Sequence, residues 1–195
     1  GGERGGLRGR KARDLRRGER GHLRVSQRVE VGRGQRIQLG RRERLHLGGG
    51  SPSLLQPDDL VRLRSALDSA FVIDSGTEIS VELDPSDIRD GSIAALIAFG
   101  LTRASIGVQD FDPAVQEAIN RPQGYDVTRS LVVALRAAGV KSINIDALYG
   151  LPLQTMERLQ KTIAQVIEIA PDRIALFGYA HVPWIKPHQK MIRDE

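Results

Sequence analysis

The sequence feature that most constrains the fold is an alternation, from Leu45 onward, of short apolar runs with amphipathic helical segments. The apolar runs predict five strands, centred near residues 46, 81, 105, 144 and 176, and every gap has room for at least one helix. Strands joined through a helix run parallel, and the crossovers are right-handed. The pattern therefore predicts an α/β fold in which helices cover a parallel sheet.

Turn and capping residues mark the ends of these elements. Pro57 suits the first turn of a helix, Gly100 a left-handed C-cap, and Asp126 and Thr155 the N-caps of two later helices. A further short helix is expected near residues 113–119. The four strands after the first are predicted over residues 78–83, 103–108, 142–148 and 174–179.

Three of the predicted strands alternate aliphatic residues with small or polar ones. The aliphatic positions are Ile79, Val81, Leu83, Ala104, Ile106, Val108, Ile143, Ile145 and Ala147. An open doubly wound sheet is covered on both faces and is apolar throughout, whereas a barrel has helices on one face and can carry a ligand site on the other. The alternation therefore favours a partial TIM-like barrel.

Three polar residues stand at the carboxyl ends of these strands. Glu82, Gln109 and Asp146 each lie toward the carboxyl end of a different strand, and parallel α/β folds place their chemistry at this end. Each could simply be a polar loop residue, but three in register favour a ligand site. Carboxylates and an amide bind hydroxyl and ammonium groups, and the glycines at 48–50 allow close backbone approach, so the predicted ligand is a nucleoside amino acid.

Residues 1–45 differ from the rest of the chain in charge. They carry 14 Arg and one Lys against five acidic residues, so residues 46–195 carry a net −5 although the whole chain is +5. Segment 1–45 has no aromatic residue and too few apolar ones to bury a core, and we expect it to be disordered or translated from a shifted reading frame. RNA binding through its arginines is an alternative, although Arg/Gly-rich RNA-binding segments normally interleave aromatic residues.

Cysteine is absent from the sequence, and its absence excludes disulfides, thiolate zinc sites and cysteine-held iron–sulfur clusters for the chain as written. No apolar run approaches the roughly 18 residues of a membrane span, so a cytoplasmic protein without membrane partners is expected. His181 and His188 share no regular face, and no metal site is predicted from them.

Six motifs stand out along the rest of the chain. They are HLGGGSPS at 46–53, ISVELDP at 79–85, SIGVQDF at 105–111, NR at 120–121, NIDALYGLP at 144–152 and YAHVP at 179–183. In this order and spacing they resemble the radical S-adenosylmethionine (SAM) core of the oxygen-independent coproporphyrinogen III oxidases. The resemblance covers residues 46–195. It implies an oxidoreductase of haem biosynthesis that uses a SAM-derived radical to decarboxylate coproporphyrinogen III oxidatively to protoporphyrinogen IX, with an electron donor, no nucleic-acid partner and usually a monomeric state.

The resemblance also implies a set of SAM-binding residues. Gly49, Gly50 and Ser51 are expected beside the methionyl end, with Glu82 near the amino group. Arg121 corresponds to the position that binds the carboxylate of SAM. Gln109 and Asp146 correspond to the positions that bind the ribose hydroxyls. Ala180 corresponds to the position whose backbone contacts adenine.

One departure concerns the 4Fe-4S cluster that the family holds through a CxxxCxxC motif some 40 to 50 residues before the triple glycine. Because the chain lacks cysteine, we expect a fragment without the motif and without the carboxyl-terminal domain, inactive as written. The loss of the first barrel strand would also leave an unpaired edge that promotes poor solubility or dimerisation. A haem chaperone-like relative with the same core is a second alternative.

Overall fold

The computed structural model of this protein describes residues 40–180, in which strands and helices alternate. The elements are β1 (Arg44–Leu47), α1 (Pro57–Ala70), β2 (Glu78–Leu83), α2 (Ser92–Phe99), β3 (Arg103–Gln109), α3 (Pro113–Ala118), α4 (Tyr125–Ala137), β4 (Ser142–Tyr149), α5 (Met156–Ile169) and β5 (Arg173–Gly178). Two single 3₁₀ turns, Pro52–Leu54 and Pro85–Asp87, follow β1 and β2. The alternation confirms the α/β class.

The strands form one parallel sheet in the order β1-β2-β3-β4-β5. A doubly wound fold changes direction from a central strand, whereas a TIM-like barrel adds each strand beside the previous one. The sequential order therefore confirms the barrel-type architecture. Within residues 40–180, β1 and β5 form the two edges of the sheet, so this part of the chain is an open, partial barrel.

The two faces of the central strands differ as the alternation predicted. The nine aliphatic residues of the predicted alternation in β2, β3 and β4 are buried, with relative exposures of 3% or less. They pack with the apolar faces of the helices, including Leu60, Leu96 and Leu135, into one core. The opposite face keeps the polar and small residues of these strands, and it forms the inside of the partial barrel.

Most of the predicted element ends are confirmed. Pro57 is the first residue of α1, and Gly100 ends α2 in the left-handed conformation with φ +105°. Thr155 caps α5, because its hydroxyl oxygen accepts the backbone N–H of Arg158 at 3.3 Å. These ends follow from local chemistry, which is why the sequence predicts them.

The predicted N-cap at Asp126 is wrong by two residues. The N-cap of α4 is Gly124, and Asp126 lies in the first helical turn. The ring of Tyr125 packs edge-on against Phe111, with centroids 5.4 Å apart, and this contact holds Tyr125 as the first residue of the helix. The Asp126 carboxylate still lies at the positive end of the helix dipole.

Most of the Arg/Gly-rich segment, as well as His181 and His188, lies outside the described residues. Within that segment, Arg44 and Leu45 belong to β1, and Arg41 forms an isolated bridge with Val72. The division into 1–45 and 46–195 stays a prediction. In residues 40–180 no helix has the length and apolar character needed to cross a membrane.

Candidate functional site

The carboxyl ends of β1 and β2 meet at the side chain of Glu82. One carboxylate oxygen, Oε2, accepts the backbone N–H of Gly49 at 3.0 Å. The other, Oε1, lies 3.3 Å from His46 Nε2, and His46 Nδ1 lies 2.9 Å from Ser80 Oγ. The loop after β1 and the imidazole therefore hold the Glu82 carboxylate in one orientation.

Gly48 is needed for this approach of the β1 loop to Glu82. A Cβ at position 48 would lie 2.8 Å from Glu82 Oε1 and would also overlap His46 Nε2. Real Cβ atoms do not approach other heavy atoms this closely. The first glycine of the triple-glycine motif therefore leaves the space that the Glu82 carboxylate occupies beside the loop.

Asp146 does not end its strand as predicted, because β4 continues to Tyr149, which pairs with Gly178 of β5. It lies on the inner face of the sheet, where two polar neighbours hold it. Ser105 donates its hydroxyl to Asp146 Oδ2 at 3.0 Å, and Asn144 donates its amide to Asp146 Oδ1 at 2.6 Å. The Asn144 amide also contacts Ser105 Oγ at 2.9 Å. Both oxygens of the carboxylate are thus oriented before any ligand binds.

Gln109 ends β3 in an unusual backbone conformation. Its φ is +68°, and the N–H of Asp110 donates to the carbonyl of Val108 at 2.9 Å, which closes a γ-turn around it. The pairing of β3 with β4 shifts register between Gly107 and Gln109. Non-glycine residues rarely adopt positive φ, and strained positions of this kind cluster at functional sites.

Arg121 reaches the site from the turn after α3. Asn120, with φ +52°, reverses the chain there, and the N–H of Arg121 donates to the carbonyl of Gln116. The Arg121 Nη2 lies 2.6 Å from Asp84 Oδ2 and donates to the carbonyl of Gly107 at 3.0 Å. Arg121 Nε is buried, and no acceptor among the described residues bonds to it.

These groups surround one cleft of about 240 Å³, which we call the strand-end cleft. Its lining residues are Gly50, Ser51, Pro52, Glu82, Leu83, Asp84, Ser105, Gly107, Gln109, Arg121 and Asp146. Six of the eight residues expected in the site are on this lining. Gly49 joins them through its bond to Glu82, while Ala180 lies two residues beyond the end of β5 and is not on the lining.

A larger groove of about 740 Å³ lies between α1 and α2, on the helix-covered side of the sheet. Of its three charged lining residues, Arg64 and Asp68 bond to each other, with Nε and Oδ1 2.9 Å apart, and Asp58 is an exposed residue of the first turn of α1. A single exposed carboxylate does not make a set of convergent polar groups that orients a ligand, so the strand-end cleft is the candidate site.

Sequence reasoning missed three side chains of the strand-end cleft and its surroundings. Asp84 pairs with Arg121, while Ser105 and Asn144 hold Asp146. Ser105 and Asn144 do occupy inward positions of the alternation in β3 and β4, which is a signal that could have identified them. Nothing local distinguishes Asp84 from an ordinary capping residue, since its Oδ1 also accepts the N–H of Ser86.

The donor set of the cleft fits SAM. The unpartnered, buried Arg121 Nε can donate to a carboxylate, and the Glu82 and Asp146 carboxylates can accept from an ammonium group and from hydroxyls. The residues present do not fit an iron–sulfur cluster. All 195 residues lack cysteine, and within residues 40–180 no group of three or more His, Asp or Glu could hold a metal ion.

Comparison with known proteins gives a consistent family signal. The sequence model of the radical SAM superfamily matches residues 11–166. The oxygen-independent coproporphyrinogen III oxidase of Paracoccus denitrificans is 47% identical over 148 residues, which are 75% of this chain and 33% of that protein. The enzyme of the same name from Bradyrhizobium diazoefficiens is 44% identical over 146 residues, covering 75% and 32%. The match thus spans about a third of the length of each of these two relatives.

Solved structures agree with this family signal. The coproporphyrinogen III oxidase HemN of Escherichia coli, described as a radical SAM enzyme, superposes with a TM-score of 0.75 and 41% identity. The match covers 78% of this chain and 35% of HemN. The archaeal Elp3 of Methanocaldococcus infernus shares only 14% identity at a TM-score of 0.60, over 74% of this chain and 40% of Elp3, and supports the fold alone.

Proposed function

The chain belongs to the radical SAM superfamily, and from this premise we propose that its strand-end cleft binds SAM as part of an oxygen-independent coproporphyrinogen III oxidase. The observation that carries the proposal is the convergence of Glu82, Gln109, Arg121 and Asp146 on one cleft at the carboxyl ends of three strands and the turn after α3. In this superfamily, SAM supplies the 5′-deoxyadenosyl radical that abstracts hydrogen from the substrate.

Each of these residues has a distinct task in the proposal. Arg121, whose Nε is free, binds the carboxylate of SAM, and Glu82 accepts from its ammonium group. Gln109 and Asp146 hold the ribose hydroxyls. Because Asp146 is already held by its neighbours, it need not reorient when a hydroxyl arrives, and this lowers the entropic cost of binding.

Gly49, Gly50 and Ser51 form the loop wall beside the methionyl end. Gly49 already donates its N–H to Glu82, so loop and carboxylate are positioned together. The proposed adenine contact is the backbone of Ala180, next to Tyr179, whose N–H donates to the carbonyl of Tyr149.

We further propose that the 195 residues as written make no radical. Thiolates hold the clusters of this superfamily, and the sequence contains none. We therefore propose that this chain binds SAM and that the reaction requires a protein that also supplies the three cysteines. The expected substrate of that protein is coproporphyrinogen III, and it requires an electron donor. The cytoplasmic location and the fragment status stay predictions.

SAM binding is tested by isothermal titration calorimetry on the full chain. We expect saturable 1:1 binding that Arg121→Ala weakens about tenfold or more, the effect of losing a hydrogen bond to a charged group. Arg136→Ala is the matched control, since Arg136 also pairs with an aspartate, Asp172, at 2.7 Å and is equally exposed, but at the opposite end of the sheet. Absence of binding, or equal weakening by both variants, would contradict the proposal.

The reaction itself is tested in a protein in which a CxxxCxxC segment precedes this sequence. After anaerobic cluster reconstitution, we expect conversion of coproporphyrinogen III to protoporphyrinogen IX. Haem binding without turnover would instead favour the haem chaperone-like alternative. Reading the gene in all three frames upstream of the His46 codon shows whether such a segment is encoded there.

A separate measurement tests whether the basic segment, residues 1–45, binds RNA. An RNA affinity that rises steeply at low salt and disappears when residues 1–45 are deleted would support it. We expect no such affinity, because the segment lacks the aromatic residues on which bases stack.

A further inference from the structure

We propose that Asp110 is a positioning residue for the site: its buried carboxylate holds the γ-turn that directs Gln109 into the strand-end cleft. Asp110 is fully buried, and it does not line the cleft. The inference rests on the proposed function in one respect, since Gln109 is taken to hold a ribose hydroxyl.

The γ-turn at Gln109 needs support from outside the turn. A non-glycine residue at φ +68° is strained, and such a conformation persists only where the surrounding structure over-determines it. The turn has a single internal bond, from Asp110 N–H to the Val108 carbonyl. Contacts that fix Asp110, the residue directly after Gln109, therefore stabilise the turn most directly.

Asp110 supplies that anchor through three elements. Its Oδ1 accepts the Asp112 N–H at 2.6 Å and the Thr162 hydroxyl of α5 at 2.7 Å. Its Oδ2 accepts the amide of Gln154, in the loop after β4, at 2.6 Å. The carboxylate thus ties the loop after β3 to the loop after β4 and to α5.

The main chain around Asp110 is anchored as well. Its carbonyl accepts the side-chain amide of Gln116 at 2.8 Å, and the next N–H, that of Phe111, donates to Thr162 Oγ1 at 3.1 Å. With Asp110 held on both its side chain and its backbone, Gln109 has little freedom to relax to negative φ.

These donors require an acceptor oxygen at both positions of the side chain, which a carboxylate provides. An asparagine amide at position 110 would place its NH₂ group against either the Gln154 amide or the two donors on Oδ1. Gln154 cannot simply reverse its amide, because its Oε1 already accepts the N–H groups of Gly150 and Leu151. Asp110→Asn therefore breaks the anchor with almost no change in volume.

The first test measures SAM binding to the full chain by calorimetry. We expect Asp110→Asn and Gln109→Ala each to raise the Kd about tenfold, the effect of losing one hydrogen bond to the ligand. The double variant should bind no more weakly than Gln109→Ala alone, because Asp110 acts through Gln109. Asp172→Asn, the same chemical change at the opposite end of the sheet, should leave the Kd unchanged.

Two outcomes of this titration would overturn the inference. One is an Asp110→Asn variant that binds as tightly as the wild type while Gln109→Ala does not. The other is full additivity of the two losses, which would mean that Asp110 affects binding by another route. If Asp110→Asn fails to fold, Thr162→Val removes one donor to Oδ1 and the acceptor of the Phe111 N–H with little change in shape, and the same comparison with Gln109→Ala applies.

A second test needs no ligand and so separates this inference from the proposed function. If Asp110 holds Gln109 in a strained turn, Gln109→Gly should raise the Tm of the wild type, because glycine adopts positive φ without strain. In the Asp110→Asn background the turn has relaxed, and Gln109→Gly should lower the Tm. Equal changes of Tm in the two backgrounds would overturn the inference even if SAM binds. Absence of SAM binding by the wild type would overturn only the proposed function.

Discussion

At the scale of single residues, the site depends on close approaches that leave no room for additional atoms. The Glu82 carboxylate contacts both the Gly49 N–H and the His46 ring, and Gly48 passes directly beside it. The position of this side chain is therefore as sensitive to the backbone of the β1 loop as to its own rotamer.

Gly48→Ala tests this close approach. The added Cβ must displace the Glu82 carboxylate or the loop, so we expect the Kd for SAM to rise about tenfold, as one lost hydrogen bond would cause. Calorimetry measures the effect. Gly124→Ala is the control, because a Cβ there meets nothing within 4 Å and its φ is −64°. Unchanged affinity in Gly48→Ala would show that the loop can shift freely.

Asp172 gives a residue-scale prediction about pH. The Ile143 N–H and then the Arg136 guanidinium hold the pKa of this carboxyl below its ordinary value. A lowered pKa stabilises the folded state above about pH 4 and stops doing so as the pH falls through the lowered pKa. Urea unfolding should therefore show Asp172→Asn less stable than the wild type near neutral pH, with the difference shrinking in acid. A pH-independent difference would contradict this.

At the scale of elements, the ends of helices carry local requirements that the sequence expresses directly. Gly100 is the C-cap of α2, and the backbone N–H of Gly100 donates to the carbonyls of Leu96 and Ile97. A Cβ at position 100 would lie 2.9 Å from Arg64 Nη1 and 3.0 Å from Ile79 Cδ1, so the position combines positive φ with tight packing.

Gly100→Ala should consequently destabilise the protein by about 1–3 kcal/mol. Gly124→Ala, where the conformation suits any residue and space is free, should change the stability by no more than about 1 kcal/mol. Chemical denaturation of both variants gives the comparison. Equal stabilities of the two variants would contradict a strained position at Gly100.

The internal order of the elements was also predictable. Five strands, their parallel direction and the buried face of each central strand follow from hydrophobic period and from the helix in every gap. The N-cap of α4 was misplaced at Asp126, because the packing of Tyr125 on Phe111 sets that helix start, and a contact between distant residues leaves no local signal.

At the scale of the whole molecule, the side chains of β5 are more exposed to solvent than those of the central strands. In the described residues it pairs with β4 alone, and Ile174, Leu176 and Phe177 are 43%, 47% and 55% exposed. An edge strand with unpaired backbone groups and apolar side chains is a template for pairing with another chain.

We therefore expect the chain to self-associate through β5. Sedimentation velocity over a concentration series should show dimer in the wild type and a shift toward monomer in Phe177→Lys. Val133→Lys removes a similarly exposed apolar residue from the surface of α4 and should leave the association unchanged. A wild type that stays monomeric at every concentration would contradict this prediction.

The sequence alone determined the repeated strand–helix units, the polar inner face and the positions of Glu82, Gln109 and Asp146 on that face, because each depends on the local period of a single strand or helix. Tertiary structure decided what surrounds them. The pairing of Arg121 with Asp84 and the anchoring of Asp110 by Gln154 and by Thr162 join residues 37, 44 and 52 positions apart. Such contacts form only when separate units pack together, and no spacing within a strand or a helix encodes them.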